Sequence, residues 1–183
     1  MIITTLREVE AVDHDFLLRL YASTRAEERA LTGWDEPSWG GFVSMQFEAQ
    51  DRSYRAQFPH ASQQLIECNG RPVGRLWVAC NATHIRILDI ALLPSHRARG
   101  VGGRCLLGLL AKAQAAGLPV RLHVEQSNPA RRLYERLGFM PTADHGLHCG
   151  MEWVPEMATL CAPGREPAVN HDQPAMETCD EQA

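Results

Sequence analysis

The stretch Ile85 to Gly117, IRILDIALLPSHRARGVGGRCLLGLLAKAQAAG, decides the fold. From Ile85 to Leu93 it is aliphatic except for Arg86 and Asp89, the composition of a strand buried in the middle of a sheet. Pro94 removes an amide that the ladder would need, and so ends the strand. Arg97, Arg99, Gly100, Gly102 and Gly103 then open a helix expected from about Val101 to Ala116. A helix start carries unpaired N–H groups and the positive end of the helix dipole, and glycines let a ligand reach that bare backbone. With Arg97, Arg99 and Arg104 beside it, the turn reads as an anion site suited to a phosphate or pyrophosphate.

Working outward, Met1 to Arg7 reads as a first strand, and Val12 to Arg29 as a helix with apolar residues at Phe16, Leu17, Leu20 and Tyr21. TGWDEPSWGG, from Thr32 to Gly41, breaks the pattern and reads as a loop or helix joint. A second helix is expected from about Pro37 to Gln57, burying Phe42, Met45, Phe47 and Tyr54. Asn69-Gly70, between Gln64–Cys68 and Pro72–Cys80, is a hairpin signal. After Gly117 come a strand at Val120 to Glu125, a short helix at Ala130 to Leu137, and final strands at Phe139 to Thr142 and Leu147 to Val154. The order β-α-α-β-β-β-α-β-α-β-β makes a mixed α/β sheet of α+β type with one crossover onto the anion-site helix.

The chain has 183 residues and a formal charge of −4, a figure that hides two parts. From Glu156 to Ala183 six acids face Arg165 alone, which leaves 16 acids and 17 bases for the remainder. Residues 1–155 therefore read as one near-neutral domain and 156–183 as an acidic, aperiodic tail, expected to be dispensable for activity. No basic face of the kind that binds nucleic acid is present. No apolar run reaches the roughly 20 residues that span a bilayer, and the start of the chain lacks signal-peptide features, so a cytoplasmic protein is expected. The six cysteines show no C-x-x-C spacing and read as reduced thiols. His145, His148 and Cys149 are metal-binding residue types but alternate on a hairpin without a fourth ligand, so no metal is expected.

Two motifs narrow the function. Arg97-Ala98-Arg99-Gly100-Val101-Gly102 fits R-x-x-G-x-G, and Asn128 to Phe139 fits N-x-A-x-x-L-Y-E-x-x-G-F. The first alone is a weak signal. Joined to the second, which begins 26 residues beyond Gly102, it resembles the GNAT superfamily of acetyl-CoA-dependent N-acetyltransferases. The likeness covers about Leu65 to Trp153.

The resemblance implies a GNAT-like acyl-CoA N-acyltransferase fold with acetyl-CoA as cosubstrate. It places the pyrophosphate on the backbone of Arg97, Ala98, Arg99, Gly100, Val101, Gly102 and Gly103. The pantetheine would pair like an added strand along Ile90, Ala91, Leu92 and Leu93, with Asn128 contacting its arm. Tyr134 would face the thioester sulfur and protonate the departing thiolate. A backbone N–H near Ile90 to Leu92 would stabilise the oxyanion. The family fixes no base. His123, whose unperturbed pKa suits proton abstraction at neutral pH, stands first, with Glu125, Asp89 and a water chain as rivals.

The acceptor is a small-molecule or peptide amine of unstated identity. Trp34 and Trp39 either line its pocket or serve packing, and Glu27, Glu28, Asp35 and Glu36 either attract a cationic amine or are solvated surface. The edge expected at Leu147 to Val154 offers a homodimer contact. A non-catalytic acyl-CoA-binding regulator is the alternative, and Tyr134 argues against it. A P-loop-like nucleotide binder is a third reading, and the lack of a Gly-Lys-Ser/Thr after the glycines argues strongly against it.

Overall fold

A computed structural model describes residues 3–156, without the side chains of 143–145. The acidic tail lies outside these residues. The elements are β1 (Thr4–Glu8), a 3-10 turn (Ala11–Asp13), α1 (His14–Thr24), α2 (Ala26–Thr32), α3 (Glu36–Gln57), β2 (Ser62–Cys68), β3 (Arg71–Cys80) and β4 (Ile85–Leu92). A second 3-10 turn (Pro94–His96) leads to α4 (Val101–Ala116), β5 (Val120–Glu125), α5 (Arg131–Arg136), β6 (Met140–His145) and β7 (His148–Trp153). One seven-stranded sheet runs in the order β1-β2-β3-β4-β5-β7-β6. Every pairing is antiparallel except β4 with β5, which are joined through α4. This is the mixed α/β sheet expected from the sequence, with β4 at its centre.

Local chemistry explains most of these elements. Asn69 and Gly70 both take positive φ, at 52° and 73°, as a two-residue hairpin turn requires. Gly117 closes α4 at φ 64°. One face of the sheet packs on α4 and α5: Val101, Cys105, Leu106, Leu110 and Ala113 cover Ile87, Val120, Leu122 and Val124. The opposite face packs on α1 and α3 through Leu17, Tyr21, Trp39, Val43, Phe47 and Leu65. Among the described residues no helix is long and apolar enough to cross a membrane.

Three local expectations are corrected. The helix expected from Val12 to Arg29 breaks at Arg25, where the Ser23 and Thr24 hydroxyls each donate to the carbonyl three residues back at 2.7 Å. TGWDEPSWGG is the expected helix joint, and α3 starts one residue before the expected Pro37: the Asp35 carboxylate accepts from Ser38 N–H at 2.9 Å and caps it. Gly40 and Gly41 therefore sit inside a helix, held there by burial of Trp39, Val43 and Phe47. Met45 is exposed, because the buried stripe of α3 runs through those three residues instead. Finally, β7 is not an edge: it lies between β5 and β6, so the free edges belong to β1 and β6 and the homodimer contact expected on β7 has no free strand there.

Candidate active site

The sheet forks at its centre. β4 and β5 pair only at Ile85 with Val120 and Arg86 with Arg121, and beyond these the strands part. A bulge in β4 accompanies the split. Trp77 of β3 faces Asp89 and the next residue, Val78, faces Ile87, so Leu88 is an extra residue. A bulge bends and twists its strand and reverses the alternation of faces. Thus Ile85 and Ile87 are buried toward α4, and beyond the bulge it is Ile90 and Leu92 that pack there. The Tyr54 hydroxyl of α3 donates to the Leu88 carbonyl at 3.3 Å.

At the mouth of the fork lies the glycine–arginine turn. Ala98 at φ 56° and Gly100 at φ 75° fold the chain sharply into α4. Among the described residues none of the N–H groups from Ala98 to Gly103 donates to a backbone carbonyl, so six amides are left at the helix start. Side chains added at Gly102 and Gly103 would meet nothing closer than the Leu92 and Leu133 methyls at 3.6 and 3.7 Å. The three arginines differ in role. Arg97 bonds back to the Leu92 carbonyl at 2.8 Å and to the Ser23 carbonyl at 3.4 Å, tying β4 to α1. Arg104 donates to Thr4 Oγ1 at 3.2 Å. Arg99 is exposed and has no protein partner among the described residues, which leaves its charge for an anion.

Asn128 starts the α5 turn, its Oδ1 accepting from Ala130 N–H at 2.9 Å. Tyr134 is buried against Phe139, ring centroids 5.7 Å apart. Burial, and then the charge of Asp89, push its phenol up to about 12, so it is a neutral proton donor at physiological pH. Asp89 also acts on Tyr54, which burial and that charge likewise raise. Tyr54 thus reaches the fork from α3, and Tyr134, buried in the core that packs on α4, feels the charge of the same carboxylate.

The base candidates are differently placed. His123 and Glu125 share the face of β5 opposite its buried residues. His123 stands near the base of the fork, where Arg86 Nη2 lies 2.9 Å from Nδ1. Since a guanidinium can only donate, Nδ1 accepts and the ring proton sits on Nε2. Asp89 pairs with Arg75 at 2.9 Å, and Gln50 Oε1 accepts from the same guanidinium at 3.0 Å.

Sequence reasoning missed Arg75, Gln50 and Tyr54. The available signal was a pair of opposite charges, Arg75 and Asp89, each set among apolar residues in the interior of its strand. The acidic residues around α2 are mostly engaged: Glu28 pairs with Arg25, Glu36 with Arg29, and Asp35 caps α3. Trp39 is core, whereas Trp34 is about half exposed, edge-on to Phe42. In β7, Cys149 is buried and His148 exposed, which sets them on opposite faces; the His145 side chain is outside those described. Among the described residues no group of three metal-ligating side chains gathers.

A family model described as Acetyltransferase (GNAT) family matches residues 28–139. The chain belongs to the GNAT acetyltransferase family. No curated protein matches it by sequence. Among solved structures it is similar to PaiA N-acetyltransferase from Thermoplasma acidophilum in complex with coenzyme A, at 15% identity and TM-score 0.64 over 83% of this chain and 99% of that one. It is also similar to an acetyltransferase from Thermus thermophilus, at 21% identity and TM-score 0.60 over 82% and 96%. A third is the ribosomal-protein-S18-alanine N-acetyltransferase from Escherichia coli, at 20% identity and TM-score 0.57 over 88% and 100%. At such identities the likeness speaks for the fold.

Proposed function

We propose that the protein is an N-acetyltransferase that moves the acetyl group of acetyl-CoA to a primary amine on a small molecule or peptide. The observation that carries this reading is the combination of three features: six amides at the α4 start without a backbone acceptor among the described residues, a stretch of β4 beyond Arg86 without a partner on its β5 side, and a buried neutral phenol that feels the charge of Asp89 in that stretch. The amides from Ala98 to Gly103, with Arg99, suit a pyrophosphate. Ile90 to Leu93 offer main-chain groups to a pantetheine arm, with Asn128 at its side.

The attacking amine nitrogen bonds to the thioester carbonyl carbon, and negative charge builds on the carbonyl oxygen. Backbone N–H groups of β4 left unpaired by the fork meet that charge. As the carbon–sulfur bond breaks, the charge moves to sulfur, where the Tyr134 hydroxyl donates. The amine must give up a proton, and His123 is the proposed receiver. Because Arg86 occupies Nδ1, that role requires the guanidinium to swing aside.

Thermal denaturation tests the reading. A ligand at about 100 times its Kd stabilises the folded state by about 2.7 kcal/mol. For a chain of this size acetyl-CoA should therefore raise the Tm by roughly 5–10 °C, while ATP leaves it unchanged. Thiol release in the presence of a panel of primary amines then separates catalysis from binding alone. No shift at millimolar acetyl-CoA refutes the proposal, and a shift without thiol release favours the non-catalytic regulator.

A further inference from the structure

The Gln50–Arg75–Asp89 chain is expensive to bury and calls for a reason. Arg75 is 3% exposed, and its guanidinium reaches Asp89 through both Nε and Nη2 at 2.9 Å. Both contacts fall on one oxygen, Oδ2. Oδ1 makes no hydrogen bond among the described residues, and the Asp89 side chain keeps 23% of its surface open. The carboxylate is thus fixed by one oxygen and presents the other.

Its position gives the second half of the argument. Asp89 lies just past the bulge, directly across from Trp77, on the face covered by α3. On its other side β5 has already separated, so no strand neighbour covers it. The thioester path proposed above runs along the same stretch of β4, with Tyr134 on the α4 side. An acceptor therefore approaches from the α3 side. The ammonium form of a primary amine is a charge-assisted donor suited to a carboxylate oxygen. Of the acids around α2, Glu28 and Glu36 are paired and Asp35 caps α3, whereas Asp89 stands in the fork itself.

We infer that Asp89 Oδ1 docks the ammonium group of the acceptor, with Arg75 and Gln50 as its positioning residues, so that acceptors are amines carrying positive charge when they bind. The inference rests on the acetyltransferase reading and adds the charge state of the acceptor. In this role Asp89 orients the ammonium, and the proton that the amine gives up passes to His123 as proposed above.

The test uses the full-length protein saturated with CoA and two probes of one shape, benzylamine and benzyl alcohol, titrated by calorimetry. One charge-assisted hydrogen bond corresponds to about a 10- to 100-fold preference for the cation. That preference is expected in the wild type and absent in Asp89→Asn. Because Asp89→Asn leaves a buried guanidinium without its counter-charge, the double variant Arg75→Gln/Asp89→Asn is measured beside it and is expected to lose the preference too. All three proteins should keep the Tm rise with acetyl-CoA. A preference that survives in either variant, or is missing in the wild type, overturns the inference. Absence of the acetyl-CoA effect in the wild type overturns the acetyltransferase reading instead.

Discussion

Replacing Tyr134 with phenylalanine isolates one hydroxyl in the proposed mechanism. The phenol is pushed up to about 12 by burial and then by Asp89, whereas a free thiol sits near 8.5. Complete proton transfer to the leaving sulfur is then uphill by roughly 3.5 pKa units, about 5 kcal/mol. The hydroxyl therefore acts mainly as a hydrogen-bond donor to sulfur while the carbon–sulfur bond lengthens. Its loss should cost toward the lower end of the general-acid range, about 10²-fold in kcat, or about 2.7 kcal/mol of barrier. Acetyl-CoA affinity should be unchanged, because the cradle lies in another element. The same shift predicts an alkaline signature. With an unfolded value near 10 and a folded value of about 12, the phenol's contribution is complete below pH 10 and is lost as pH rises through 12. The loss is about 2.7 kcal/mol, and Tyr134→Phe should be free of it. Thiol-release kinetics, calorimetric binding and denaturation at alkaline pH check the three statements. Turnover within about threefold of wild type refutes Tyr134 as the donor to sulfur.

Three further substitutions probe the scaffold and the cradle. Gly74 of β3 has no room for a side chain: a Cβ would lie 2.4 Å from the Ala91 carbonyl oxygen and 2.5 Å from Leu92 Cδ2. Gly74→Ala should cost about 1–3 kcal/mol, lower the Tm by several degrees and slow turnover, since Ala91 and Leu92 flank the fork; an unchanged Tm would contradict the close approach. Arg99→Ala should weaken acetyl-CoA binding and flatten its salt dependence at constant Tm, because Arg99 has no protein partner among the described residues. Arg97→Ala should instead lower the Tm by releasing the Leu92 and Ser23 carbonyls, and binding at low and high salt beside melting curves separates the two.

What was legible in the sequence was local, and what was not depended on register. The aliphatic run before Pro94, the glycines from Gly100 to Gly103 and the Asn69-Gly70 turn each carry their cause in adjacent residues, so central strand, anion turn and hairpin could be read directly. The buried stripe of α3 could not, because which of its residues face the sheet is set by packing: Trp39, Val43 and Phe47 are buried and Met45 is not. Strand order is non-local as well, which is why β7 reads as an edge in sequence and is covered by β6 in space. The acceptor side of the site was hidden for a sharper reason. Counting by twos from Ile85 and Ile87 puts Asp89 on the apolar face against α4, where a carboxylate would be a defect. Leu88, the one extra residue, turns Asp89 to the opposite face and onto Arg75, and returns Ile90 and Leu92 to the core. The bulge that accompanies the fork thus also delivers the charge beside it. An unbulged β4 would lose both together.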